Sequence, residues 1–129
     1  MLLDGDLGAG KTTLARGVAD GLGVDGPVTS PTFVIAREHL LRDGTPGLVH
    51  VDAYRLAGPD ELDDLDLGPA MRSSVTVVEW AADVAEHLHA EPLVLTIAVN
   101  DDESREVTWQ AGGRRWAPDL TRVAGCGGR

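Results

Sequence analysis

The sequence predicts an α/β fold, a three-layer sandwich around a mixed parallel and antiparallel sheet, and three observations carry that reading. The first is the glycine-rich stretch Gly5-Asp6-Leu7-Gly8-Ala9-Gly10-Lys11-Thr12, spaced as G-x-x-x-x-G-K-[ST] between a short apolar start and a helical stripe. The second is a hairpin pattern in which two extended runs flank a turn at Arg42 to Gly47. The third is the short apolar run Val75 to Val78, closed by Glu79, which suits a strand buried on both faces.

Each element follows from its residues in turn. Met1-Leu2-Leu3 supplies only part of the buried strand, about five or six residues long, that normally precedes such a loop. The glycines let the loop wrap so that successive backbone N–H groups converge on phosphate oxygens, as in a P-loop NTPase. The helix beginning at Lys11 adds the positive end of its dipole. Lys11 would then reach β- and γ-phosphates, the Thr12 hydroxyl would sit on Mg²⁺, and Thr13 would touch the α-phosphate. Lys11 is the only lysine among eleven basic residues, so a compact ammonium stands where the chain otherwise uses guanidinium groups. The bland alternative is a glycine-rich turn that holds no ligand.

Leu14, Ala15, Val18, Ala19 and Leu22 form the stripe of the first helix, and Gly23 ends it. Gly26-Pro27 and Ser30-Pro31 mark a loop. Phe33 to Leu41 and Leu48 to Asp52 read as the two strands of the hairpin. Pro59 to Leu67 reads as a short acidic helix with proline at its start. After the strand that ends at Glu79, Ala81 to His89 reads as a helix and Leu93 to Val99 as another strand. Asn100 to Ser104 turns the chain into Arg105 to Ala111, which alternates like a half-exposed strand. Residues 1–117 are expected to form a single domain, with 118–129 as a disordered tail.

Composition bounds the function. A chain of 129 residues that is 43% hydrophobic suits one domain with a real core. A net charge of −10 and a pI near 4.6 argue against tight, unaided binding to nucleic acid, though not against service to a nucleic-acid pathway through a basic partner. The single cysteine, Cys126, permits no internal disulfide, which fits a reducing compartment. No apolar run reaches the ~18 residues of a membrane span and no signal-peptide pattern opens the chain, so the expected location is the cytoplasm.

A phosphate loop needs a carboxylate to hold Mg²⁺ or orient water, normally at the end of a neighbouring strand. Asp52 and Glu79 stand at such ends. Glu79 is assigned to the metal or its water and Asp52 to polarising that water, and the two roles could be exchanged. Ser30 and Thr32 lie where γ-phosphate-sensing segments occur, although plain turn chemistry explains them equally well. Trp80 is a partner or nucleotide contact or else a core residue, and it faces away from Glu79 if the strand continues. His50 and Tyr54 share a strand face with Asp52 and read as support for it. His39, His87 and His89 lack metal-ligand spacing and read as surface residues. The run Asp60 to Asp66 reads as a solvated face.

In their order and spacing these pieces resemble the TsaE (YjeE) family of small bacterial ATPases required for threonylcarbamoyladenosine modification of tRNA. The resemblance rests on Gly5 to Thr13, Ser30-Pro31-Thr32-Phe33, His50-Val51-Asp52-Ala53-Tyr54-Arg55-Leu56, Glu61-Leu62, Glu79-Trp80 and a strand leading to Arg105. It implies ATP as ligand, Mg²⁺ on Thr12 and Glu79, and a nucleotide contact from Arg105. Together with the loop reading, the candidate nucleotide contacts are Asp6, Leu7, Gly8, Ala9, Gly10, Lys11, Thr12, Thr13 and Arg105, and the candidate metal residues are Thr12, Glu79 and Asp52. It makes Lys11, Asp52 and Glu79 catalytic, with Asp52 matching the Walker B-like aspartate. It also implies weak ATPase activity that gains meaning beside TsaD-like and TsaB-like proteins. Family members carry a further strand and helix upstream, so the sequence is expected to lack that segment. Two other readings remain at this point: a small-molecule kinase, for which no acceptor-lid insert is evident, and a nucleotide-gated adaptor with negligible hydrolysis.

Overall fold

Period-two alternation of apolar side chains builds the sheet. The computed structural model describes residues 1–29, 36–55, 59–81 and 90–116, with the backbone alone for Arg55, Pro59 and Leu62. Within them the strands are β1 (Leu2–Gly5), β2 (Ala36–Leu40), β3 (Pro46–Asp52), β4 (Val75–Glu79), β5 (Leu93–Val99) and β6 (Arg105–Ala111). They form one six-stranded sheet in the order β2-β3-β4-β1-β5-β6. The central ladder β3-β4-β1-β5 is parallel, and antiparallel β2 and β6 close its two edges. The mixed sheet that the sequence predicts is therefore present, with the hairpin at one edge.

Successive residues of each central strand enter opposite cores. Leu3, Leu48, Val77, Leu93 and Leu95 pack with Ala15 and Ala19 of helix α1 (Lys11–Leu22). Leu2, Val49, Val51 and Val78 face the other way, against Leu65, Leu67 and Ala70. Each such Leu or Val side chain, removed from water, contributes roughly 1.5–3 kcal/mol. The same alternation puts His50 and Glu79 on the α1 face one period beyond Leu48 and Val77, and Asp52 one period beyond His50. It thereby brings three polar residues to the sheet edge where α1 begins.

The structure corrects three expectations. The helix expected over 59–67 ends at Asp64 as α2 (Pro59–Asp64), and a second helix that the sequence does not predict, α3 (Gly68–Ser73), follows it. Asp66 takes a left-handed backbone (φ 48°) that ends the first, and Pro69 sits in the first turn of the second. His39 is half-buried rather than a surface residue, and burial is the main cause that lowers its pKa. Trp80 does not continue β4, with consequences for the site given below. The strand expected from Phe33 is described only from Ala36. Most of the helix expected over 81–89 and the tail after Trp116 lie outside the described residues.

Gly5, the last residue of β1, is where the chain leaves the sheet for the loop. Its φ is 147°, and a Cβ there would stand 2.6 Å from the Ile97 carbonyl oxygen of the paired strand. Backbone cannot give way as a flexible side chain can. Gly5→Ala is expected to destabilise the fold by about 2–4 kcal/mol in denaturant unfolding, and wild-type stability in that variant would contradict this geometry.

Candidate functional site

The loop Asp6–Gly10 joins β1 to α1 at the carboxyl ends of the parallel strands, where open α/β sheets place their ligand crevice. Here a cleft of about 540 Å³ opens. Leu7, Gly8, Gly10, Lys11, Thr12 and Thr13 form one side, and Asp52, Tyr54, Glu79 and Trp80 form the other. Gly10 takes φ 114° immediately before α1, a conformation that turns the backbone into the first helical residues.

Lys11 is 5% exposed. Its Nζ donates to the carbonyls of Gly5 (2.6 Å) and Asp6 (2.8 Å) and lies 3.8 Å from the centroid of the Trp80 ring. Among the described residues no carboxylate pairs with it. Two carbonyl dipoles and a ring face compensate a buried ammonium only in part, so positive potential remains at the head of a twelve-residue helix. An anion is the complement of such a place.

Glu79 is the polar hub. The Thr12 hydroxyl donates to its Oε1 at 2.9 Å and its Oε2 at 3.2 Å, and His50 Nε2 lies 2.5 Å from Oε2. Burial alone would raise the pKa of this carboxyl. Hydrogen bonds from His50 and Thr12, with the charges of His50 and Lys11, outweigh it and hold the group below its ordinary value. An ionised carboxylate only accepts, so the proton of the contact sits on His50 Nε2. Asp52 pairs with Glu79 in register across β3 and β4, and its Oδ1 accepts the Tyr54 N–H at 3.0 Å.

Trp80 is the correction. Its N–H still donates to Leu3 O at 3.1 Å, but its backbone is left-handed (φ 60°), so β4 stops at Glu79. The turn swings the indole into the same cleft as Glu79, over Lys11, with the exposed Tyr54 ring at a centroid distance of 5.1 Å. Period-two reasoning fails here because the chain is no longer a strand. Tyr54 lies in a 3₁₀ turn, Ala53–Arg55, rather than on the β3 face, and so becomes the neighbour of Trp80.

The structure thus gathers Leu7, Gly8, Gly10, Lys11, Thr12, Thr13, Asp52, Glu79 and Trp80 around one cleft; Asp6 enters through its carbonyl, and Ala9 is buried beneath the loop. It does not bring Arg105 there: that guanidinium donates to the Glu103 carbonyl at 2.6 Å, at the start of β6. Ser30 and Thr32 lie outside the described residues.

Comparison with known proteins gives a consistent family. The family model for "Threonylcarbamoyl adenosine biosynthesis protein TsaE" matches residues 1–107. A Streptomyces coelicolor protein named tRNA threonylcarbamoyladenosine biosynthesis protein TsaE is 56% identical, over 97% of this chain and 88% of that protein. The Bacillus subtilis protein of the same name is 44% identical, over 90% of this chain and 72% of its own length. Among solved structures, that of Bacillus subtilis YdiB superposes with a TM-score of 0.69 at 37% identity, covering 95% of this chain and 76% of YdiB.

The hydrogen-bond set around Glu79 fixes a pH dependence. A carboxyl whose folded pKa lies below its ordinary 4.5 adds stability above that pH and loses it as the pH falls through the folded value. Thr12→Val keeps the shape and removes one donor. In a carboxyl-carbon NMR titration the Glu79 pKa should move upward in Thr12→Val, and an unchanged value would contradict the assigned bond.

Proposed function

The chain belongs to the TsaE family, and from that premise we propose that it serves tRNA threonylcarbamoyladenosine formation as a Mg²⁺-dependent ATPase. The observation that carries this reading is the buried Lys11 ammonium, held at the head of α1 with no carboxylate partner among the described residues and beside the Thr12–Glu79 pair. A triphosphate supplies the missing negative charge.

The residues at the cleft fit a magnesium ion by their chemistry. Thr12 Oγ1 and the Glu79 carboxylate are hard oxygen donors already 2.9 Å apart, and Asp52 stands in register beside Glu79. No cluster of three or more acidic, histidine or cysteine ligands exists among the described residues. A short protein donor set suits a cation that keeps several waters and binds through phosphate oxygens. When bound, Mg²⁺ supplies charge neutralisation on the phosphoryl group being transferred.

The protein's own part is positioning. Backbone N–H groups of the loop and Lys11 grip the triphosphate, with the Lys11 donors turning from the Gly5 and Asp6 carbonyls to phosphate oxygens. Asp52 orients the attacking water from the rim of the cleft, while Glu79 holds its place at the floor. The proposal extends to assembly: with a net charge of −10, this chain reaches tRNA through TsaD-like and TsaB-like partners rather than by itself. Arg105 belongs to the nucleotide site in this reading only if its guanidinium leaves Glu103.

Purified protein with Mg-ATP tests the reaction. Steady phosphate release without an acceptor supports the ATPase, release that requires an acceptor would make it a kinase, and binding without release would make it an adaptor. Lys11→Ala is expected to weaken ATP about 100-fold in calorimetric titration, and unchanged affinity would refute the cradle. Glu79→Ala should keep nucleotide but lose hydrolysis by about 100-fold or more. Full turnover in that variant would move the central role to Asp52.

A further inference from the structure

His50, at 0% exposure, is the one fully buried ionisable side chain of the described residues that does not itself line the cleft. It lies on β3 between Leu48 and Asp52, on the face that packs towards α1. Its Nε2 meets Glu79 Oε2, while its Nδ1 is buried without a hydrogen-bond partner. A leucine or valine would fill this position without leaving an orphaned nitrogen, as Leu48 and Val77 do next to it. A polar ring sealed in a core at this cost needs a compensating role, and its one hydrogen-bond partner among the described residues is Glu79.

Glu79 has donors of two kinds. Thr12 is half-buried at the rim, and its hydroxyl is the group that a metal at this site would claim. His50 is enclosed and has no alternative partner. When Thr12 turns to a ligand, only the imidazole still restrains rotation of the carboxylate. Partners of this kind, one step removed from a metal or reacting group, fix ligand orientation.

We propose that His50 is a positioning residue, whose Nε2–H holds the Glu79 carboxylate in its working orientation once Thr12 has left it. This rests on the reading of Glu79 as the carboxylate of the metal or its water. His50 itself contacts neither nucleotide nor metal. Its loss acts on whatever depends on the direction of Glu79: the gain in ATP affinity that Mg²⁺ brings, and turnover. Grip on the phosphates through Lys11 and the loop is untouched.

Two substitutions separate orientation from packing. His50→Leu fills the space without a donor; His50→Gln carries an amide that reaches the place of Nε2. Both are to be compared with wild type and Glu79→Ala in three measurements: thermal unfolding, ATP titration with and without Mg²⁺, and phosphate release. The expected result is that His50→Leu remains cooperatively folded, with some loss of thermal stability where Glu79 has lost a donor, and binds Mg-free ATP normally. It should lose about 10- to 100-fold in turnover and most of the Mg²⁺-dependent gain in affinity. His50→Gln should recover much of both. Wild-type turnover and Mg²⁺ dependence in folded His50→Leu would overturn the proposal, as would a His50→Gln that is folded but as impaired as His50→Leu. If Glu79→Ala itself retains full turnover, the underlying assignment of Glu79 falls, and this inference with it; an inactive Glu79→Ala beside a normal His50→Leu sinks the inference alone.

Discussion

A single buried ammonium with no carboxylate partner among the described residues sets the terms for this molecule. Lys11 is nearly closed off from water, and it is satisfied by two loop carbonyls and the face of an indole rather than by a carboxylate. Burying a charge this way is costly, and a fold tolerates it where a ligand of opposite sign completes the site. The loop geometry, the helix that begins at Lys11 and the aromatic pair above it all serve that one position. Gly5, which no other residue could replace so close to the Ile97 carbonyl, is the pivot that points the loop at it.

The sheet supplies what the lysine alone cannot. Because β3 and β4 run parallel and in register, the period of two delivers His50, Asp52 and Glu79 to one face and one end. That end is also where β1 releases the loop. The carboxylates therefore reach the cleft, opposite the loop and Lys11, through strand alternation, with no special loop to carry them. The layering of Thr12, Glu79 and His50 from rim to core follows from the same register. A surface group hands over to a buried carboxylate, which a sealed imidazole steadies.

Much of this was legible in the residues. The loop spacing, the five apolar positions of α1, and the bounds of β4, β5 and β6 follow from local pattern, and the carboxylates at Asp52 and Glu79 stood out because each ends a strand. What pattern could not show is tertiary. Trp80 was readable as a residue after a strand but not as a left-handed turn, since nothing local to Glu79-Trp80 forbids one more extended residue. The tyrosine–tryptophan pair over Lys11 depends on that turn and on the 3₁₀ turn at Ala53–Arg55, and both are set by packing. The end of α2 at Asp64 leaves out Leu65 and Leu67, whose apolar spacing continues the helical pattern, and α3 beyond it is a six-residue helix that opens on Gly68 and Pro69, too short for a periodic signal. His50 was visible as support for Asp52; its partner proved to be Glu79, one strand away.

The most direct test of the account is a crystal structure with a non-hydrolysable ATP analogue and Mg²⁺. The triphosphate should be seated in the loop from Gly5 to Thr13, with Lys11 Nζ moved from the Gly5 and Asp6 carbonyls onto phosphate oxygens. A nucleotide bound elsewhere, with the ammonium still on its carbonyls and under the Trp80 ring, would contradict it.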